Sequence, residues 1–321
     1  MPSGIAASLP AWKKVSLRPY TTLKAGGAAE LFMAPRTSSE FADSAAQAHR
    51  SGARATILGF GSNILPSDDG VPGIVLLNLA RRIEIGPGGE VVADTGCSFQ
   101  DLFLKTTQAG LSGLEYAVGI PGTLGGALVS NAGAYRSCVS EFITELEVVH
   151  NGRREWVEPG FMEFSYRDSI LRRPDPPQCA VVRVRFQLPS RDRRTSYDEA
   201  REYQRQRIAK QPAQASAGSF FKNVSNADLA ASLETLPEAL KLKGIVPAGY
   251  LIEACGLKGF DRGGAMFGER HANFILNVRG ATATAIRDLA QIGKRRVSEK
   301  FAVELEEEVL YLGDWSRYGS V

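Results

Sequence analysis

The 321 residues of the chain are enough for about two domains of ordinary size. Hydrophobic residues make up 44% and charged residues 23%, which excludes disordered, collagenous and coiled-coil classes. No apolar run reaches the roughly 18 residues that a membrane-spanning helix needs, and a net charge of +3 is too small for wholesale nucleic-acid binding.

In chain order, the segment MPSGIAASLPAWKKV lacks the apolar core of a secretory signal. Ser38, Ser39 and Glu40 predict the cap of a helix running to Gly52. Short strands are predicted over 55–59 and 73–79. Ser98 opens a second helix, with Phe99, Leu102, Phe103 and Thr106 on one face, ending at Gly110. From Glu141 to Leu188 the hydrophobic period falls to two: Val182, Val184, Phe186 and Leu188 alternate with Arg183, Arg185 and Gln187, the pattern of a half-buried antiparallel strand. The polar, basic stretch 192–214 reads as a partly helical link. A helix over 282–301 and a strand over 307–312 close the chain. Helices and strands alternate without regular βαβ units, so the expected class is α+β.

The four cysteines, Cys97, Cys138, Cys179 and Cys255, form no CxxC, and only three histidines are present; no metal site is expected. Reduced thiols fit a cytoplasmic protein. From Arg167 to Lys210, 11 Arg and 1 Lys stand against 6 Asp and Glu, a local balance of +6. An anionic ligand and a solvated basic face are both open readings of this stretch.

Glycine is the compositional outlier, 33 residues or about a tenth of the chain, and it gathers in loops where backbone approaches another group closely. Gly59 and Gly61 open a dinucleotide-like fingerprint, but Ile64 stands where the third glycine belongs, which disfavours a Rossmann site. The remaining turn carries Ser62 and Asn63, suited to phosphate oxygens or to a plain strand connection. A second tract, Gly119, Pro121, Gly122, Thr123, Gly125 and Gly126, places a tight turn before a possible helix start, suited either to a pyrophosphate on exposed amides or to plain close packing. Arg167 is either a carboxylate clamp or a surface residue beside Asp168. Ser219, in a run of small residues before two phenylalanines, suits a proton donor, a nucleophile or a helix cap; no GxSxG surrounds it, so a hydrolase triad has little support. Four carboxylates crowd 304–308, which reads either as a solvated strand end or, if Glu308 shares a face with Leu310, as a partly buried acid at Glu308 with a raised pKa.

The order and spacing of these motifs is more specific than any one of them. The stretches YTTLKAGG, GSNIL, GLEYAVGIPGTLGGALVSNAGAY, SYRDS, SAGSFFKN, PAGYLIEACGLKG and ERHANFILNV occur in sequence from Tyr20 to Val278, and EVLYLG ends at Gly313. The chain resembles the UDP-N-acetylenolpyruvoylglucosamine reductases over nearly its whole length. The resemblance implies an FAD-binding domain of the vanillyl-alcohol-oxidase type, divided as 10–80 (joined by a strand at 305–315) and 81–195, and an α+β substrate domain over 205–304. It implies non-covalently bound FAD along the two glycine loops (Gly59, Gly61, Ser62, Asn63, Ile64 and 119–126), with NADPH as reductant. By the same resemblance Arg167 and Glu308 stabilise an enolate and Ser219 protonates it. Tyr135, Lys210 and Asn223 then contact the UDP-sugar, with the basic stretch beside the diphosphate. The spacing of 52 residues from Arg167 to Ser219 resembles the short form of the family, which lacks a tyrosine-bearing lid. It further implies a bacterial cytoplasmic enzyme of peptidoglycan synthesis, with no metal, nucleic-acid, membrane or obligate protein partner. Two other readings, an oxygen-using FAD oxidase of the same fold and a non-catalytic flavin- or nucleotide-sugar-binding protein, lack a reason for SAGSFFKN and for the joint presence of Arg167, Ser219 and Glu308.

Overall fold

Local capping signals set the helices of the computed structural model, which describes residues 10–318. Most of the N-terminal stretch read for a secretory signal lies outside these residues. Helix α1 (Ser38–Arg50) is capped one residue earlier than expected. The Thr37 hydroxyl accepts from the Glu40 amide at 3.1 Å, and the Glu40 carboxylate accepts from the Thr37 amide at 3.3 Å, a reciprocal capping box. Helix α2 (Phe99–Gln108) is capped by Ser98, whose hydroxyl accepts from Asp101 N at 3.2 Å, and it buries Phe99, Leu102, Phe103 and Thr106 as predicted. Helix α3 (Leu124–Val129) follows the Thr123 cap. Helix α4 (Arg193–Lys210) occupies the centre of the basic stretch.

The chain divides into two compact units. The first takes Ala29–Phe60 and Pro72–Arg207, with the first strand. It holds a four-stranded sheet in the order Trp12–Ser16, Ala28–Met33, Val71–Leu77, Ala55–Leu58, whose last pair runs parallel with Ala55 opposite Ile74. It also holds a five-stranded antiparallel sheet ordered Arg153–Val157, Ile143–His150, Cys179–Gln187, Glu90–Asp94, Ile83–Ile85. Val182, Val184 and Phe186 are buried on the central strand, as its alternation predicted. Helix α1 packs Phe41, Ala42 and Ala45 with Val149, Ala180 and Val182. Helices α2 and α3 share a second core with Val91, Val184 and Phe186.

The second unit takes Ser16–Ala28, Gly61–Val71 and residues from Ile208 onward. Its antiparallel sheet runs Ser216–Ser219, Phe274–Asn277, Ala265–Phe267, Asp261–Arg262. Helix α5 (Ala248–Ala254) and the long helix α6 (Ala283–Phe301) share one core with Phe220, Phe221 and Phe267. Thr282 caps α6, and the Asp68 carboxylate accepts from its first amides, Ala283 N at 3.0 Å and Thr284 N at 2.8 Å, favourable at the positive end of the helix dipole. The final strand is shorter than predicted. Only Leu310–Leu312 forms it, parallel to Ile64–Pro66, with Leu310 opposite Ile64. The whole is an α+β architecture.

All four cysteines are free thiols. Among the described residues, no helix is long and apolar enough to cross a membrane. Nor does any group of three or more His, Cys, Asp and Glu side chains suit a metal ion. Much of the basic stretch is paired with nearby acids: Arg183 with Glu147, Arg191 with Glu199, and Arg205 with Glu202.

One of these pairs sits inside the five-stranded sheet. The Glu147 carboxylate accepts from Arg154 Nε at 2.7 Å and Arg183 Nε at 2.6 Å, while Arg183 and Arg185 lie over the Trp156 ring. Burial alone would raise the Glu147 pKa; the hydrogen bonds from Arg183 and Arg154 outweigh it and hold the carboxyl below its ordinary 4.5. A depressed folded-state pKa stabilises the fold above the ordinary value and loses that contribution as pH falls through the folded value. Glu147→Gln is therefore expected to cost about 3 kcal/mol at pH 7. The gap to wild type should narrow below the ordinary carboxylate range, as read from denaturation midpoints at neutral and acid pH. A gap that is constant with pH contradicts this assignment.

Candidate active site

The first unit brings the two glycine loops together at Gly59 and Thr123. Gly59 follows the strand Ala55–Leu58, and a Cβ placed on it would overlap Thr123 Oγ1. Only glycine permits that approach. Gly119 and Gly122 hold φ of 69° and 152°, left-handed values that the tight turn requires. The amides at the start of α3, expected from sequence to be exposed, are used within the chain. Leu124 N donates to Cys97 O at 2.9 Å, Gly125 N to Thr95 O at 2.7 Å, and Gly126 N to Thr123 Oγ1 at 3.2 Å. The reason is a bridge between Ser98 and Thr123 that fastens the loop to the start of α2. Pro121 and Gly126 are the exposed members of the loop, and a Cβ on Gly126 would meet only Thr123 Oγ1, at ordinary contact distance.

Beside this loop lie unpartnered donors that sequence reasoning did not single out. Arg207, on α4, has its Cδ 3.3 Å from the position a Gly119 Cβ would take. It donates to Tyr116 O at 3.3 Å, but its buried Nε has no acceptor, and neither does the buried Tyr116 hydroxyl. Burial pulls the Arg207 pKa below its ordinary value; Tyr135 opposes this and the Arg167 charge adds to it. A buried cation with an idle N–H suits an anionic ligand group. Close-packed glycine backbone together with idle buried donors fits a phosphate-bearing cofactor such as FAD.

Tyr135 and Arg167 also lie in the first unit, each on a strained two-residue turn. Ala134 pairs with Ser137, leaving Tyr135 and Arg136 at φ of 54° and 73°. Such a mirror-image turn normally takes Asn and Gly. Ser165 bridges Asp168, leaving Tyr166 and Arg167, with Arg167 at φ 55°. The two turns are tied together: Arg167 Nη2 donates to Gly133 O at 2.8 Å and Asn131 Nδ2 to Ser165 O at 3.1 Å. Non-glycine residues held left-handed cost about 1–3 kcal/mol each and persist where surrounding contacts enforce them, often at functional sites.

The second unit carries the remaining candidates. Gly61, at φ 62°, receives Thr22 N on its carbonyl at 3.1 Å, and Ile64 begins the strand opposite Leu310. Asn63 accepts from Leu310 N at 3.0 Å on its main-chain oxygen and donates from Nδ2 to Glu308 O at 3.1 Å. Ser62 is half-buried between Gly61 and Asn63. Ser219 sits just past a bulge. The pairing of Ser216 with Leu276 and Ser219 with Phe274 is out of step, and the intervening Gly218 stands at φ 77°. Bulges of this kind re-aim the side chain that follows. Asn273 locks the next residues: its Nδ2 donates to Phe221 O at 2.8 Å and its Oδ1 accepts from Phe221 N at 3.0 Å.

Glu308 is fastened to the same segment, since Glu308 N donates to Phe220 O at 2.8 Å and Lys222 N to Glu306 O at 2.9 Å. The three consecutive glutamates are sorted by their partners. Glu306 pairs with Lys222 Nζ at 2.5 Å and Glu307 with Lys294 Nζ at 2.8 Å. Asn223 accepts from Ala248 N at 3.3 Å, at the start of α5. Lys210 is exposed at the end of α4, and its charge adds to burial in lowering the His271 pKa below 6.5.

Comparison with known proteins adds family information. Residues 29–157 match the family described as FAD binding domain, and residues 211–312 match the C-terminal domain of UDP-N-acetylenolpyruvoylglucosamine reductase. The UDP-N-acetylenolpyruvoylglucosamine reductase of Synechococcus sp. (strain JA-3-3Ab) is 36% identical over 304 residues, covering 94% of this chain and 91% of that protein. The enzyme of that name from Bacillus subtilis is 33% identical, covering 92% of this chain and 91% of its own. The crystal structure of UDP-N-acetylenolpyruvylglucosamine reductase from Thermus caldophilus superposes with a TM-score of 0.75 at 32% identity, covering 95% of this chain and 99% of that one.

The contact of the two glycine loops offers a direct test of flavin loading. Gly59→Ala forces Thr123 away from the strand end, at a cost of about 1–3 kcal/mol for overpacking. The variant is expected to purify with reduced flavin absorbance per protein; full flavin content would contradict the role given to this contact. From sequence identity across nearly the whole length, and from the two matched domains in order, the chain belongs to the UDP-N-acetylenolpyruvoylglucosamine reductase family and is an FAD-containing oxidoreductase.

Proposed function

We propose that this chain reduces UDP-N-acetylglucosamine enolpyruvate to UDP-N-acetylmuramate with NADPH, in the synthesis of peptidoglycan precursors in the bacterial cytoplasm. Within this reading FAD is bound non-covalently by the 10–80 and 81–195 parts of the chain and the substrate by 205–304. The observation that carries it is the pairing of the Ser219–Lys222 segment with Glu306–Glu308, which draws a hydroxyl and a carboxylate from opposite ends of the second unit to one place.

When bound, FAD supplies hydride transfer, from NADPH to the enolpyruvyl double bond. The loop 119–126, with Gly59, Gly61, Ser62, Asn63 and Ile64, would hold that cofactor, and Arg207 adds an idle N–H for an anionic oxygen. The chain must then stabilise charge that builds on the substrate carboxylate. Arg167 suits this because a planar guanidinium spans two carboxylate oxygens. Its left-handed turn and its bond to Gly133 O preset its direction, so little reorganisation is needed during the reaction. Glu308 is the acid assigned to the same step. Its main chain is fixed against the Ser219 segment, since Glu308 N donates to Phe220 O at 2.8 Å.

Protonation of the enolate carbon falls to Ser219. No side-chain hydrogen bond engages its hydroxyl among the described residues, and the bulge at Gly218 sets its direction. A serine hydroxyl is a weak acid, so the role depends on contact with the carbanion. Tyr135, Lys210 and Asn223 contact the UDP-sugar in this reading, and the Lys210 ammonium suits a diphosphate oxygen.

The half-reactions separate these roles. Ser219→Ala should leave flavin reduction by NADPH within about twofold of wild type and slow reoxidation by the enolpyruvyl nucleotide by about a hundredfold, the typical scale for losing a general acid. Unimpaired reoxidation of that variant in stopped-flow absorbance would reject the donor role.

A further inference from the structure

Tyr135 is held by two side chains of helix α4. Its ring stacks on Tyr203 with centroids 3.8 Å apart and planes 9° from parallel, and the Arg207 guanidinium lies 5.7 Å from its centroid. The Tyr135 hydroxyl donates to Tyr203 O at 3.2 Å. Tyr203 is itself anchored: its hydroxyl donates to Glu199 at 2.6 Å, Glu199 accepts from Arg191 at 2.5 Å, and Arg191 lies 3.8 Å from the buried Glu115. The bond to Glu199 comes first among the causes that push the Tyr203 pKa up to about 12, so the donor stays protonated at any physiological pH.

Tyr135 needs such support. It stands half exposed on a turn whose two central residues are both left-handed, and an exposed tyrosine on a two-residue turn has several open rotamers. Fixing one of them before a ligand arrives removes an entropy cost from binding. The hairpin is also the one that Arg167 holds through Gly133 O, so the Tyr203 stack and the Arg167 bond brace the same few residues.

We propose that Tyr203 is a positioning residue for the UDP-sugar: it holds Tyr135, against Arg207, in the orientation that binds substrate. The proposal rests on the reading of Tyr135 as a substrate contact and adds the side chain that sets it. The short form of this site thereby has a tyrosine platform on α4 behind its ligand-contacting tyrosine.

A double-mutant cycle tests it by steady-state KM for the enolpyruvyl nucleotide, with flavin content and Tm recorded for each variant. Tyr203→Leu removes the flat face and should raise KM about five- to tenfold, the worth of an aromatic stack. Tyr203→Phe keeps the ring and should stay within about twofold. Tyr203→Met replaces the leucine variant if that one fails to fold. In a Tyr135→Ala background, Tyr203→Leu should raise KM no further. A merely structural role would lower Tm and leave KM unchanged, or would raise KM equally in both backgrounds, and either result overturns the proposal. If Tyr135→Ala itself leaves KM unchanged, the reading of Tyr135 as a substrate contact fails instead.

Discussion

Two main-chain hydrogen bonds, Glu308 N to Phe220 O and Lys222 N to Glu306 O, decide what the second unit can do. They join a segment near residue 220 to one near 307, and they fix which of three consecutive glutamates goes where. Alternation across that pairing sends Glu306 to Lys222 and leaves Glu307 to Lys294. The same pairing sets Glu308 against the residue that follows Ser219. Asn273 fastens the segment from its other side with paired bonds to Phe221, and Asn63 reaches Glu308 O. Few of these contacts are strong alone; together they leave the Ser219 and Glu308 backbones little freedom.

The first unit reaches a similar end by strain. Tyr135, Arg136 and Arg167 all hold left-handed backbone without glycine, which the two hydrogen-bonded turns and their cross-ties enforce. A turn that is costly by itself but bound by several contacts has one accessible geometry. For a guanidinium assigned to a developing charge, that is the useful property, because preset donors need not reorganise as the charge appears.

Much of the fold was legible in local signals. The Thr282 cap and apolar face of the last long helix, the Ser98 cap of α2, and the alternation of Val182, Val184 and Phe186 each state their element within a dozen residues. What was not legible depends on distant partners. The strand expected over 307–312 shrinks to Leu310–Leu312 because Glu307 bridges Phe221 while Leu310 pairs with Ile64. The α3 amides looked available for a pyrophosphate, yet Thr95, Cys97 and Thr123 take them. Tyr203 and Arg207 sit in a stretch so polar that its composition reads as solvent-facing. The stack on Tyr135, 68 residues away, reveals Tyr203, and the approach to Gly119 reveals Arg207. The order of motifs pointed to the family, which sequence identity with known reductases now supports; single motifs did not.

The most direct test of the account is an anaerobic titration of the purified holoenzyme followed by flavin absorbance. NADPH should bleach the flavin band, and one equivalent of UDP-N-acetylglucosamine enolpyruvate per flavin should restore it with formation of UDP-N-acetylmuramate. A bleached flavin that oxygen reoxidises but the enolpyruvyl nucleotide does not would contradict the account.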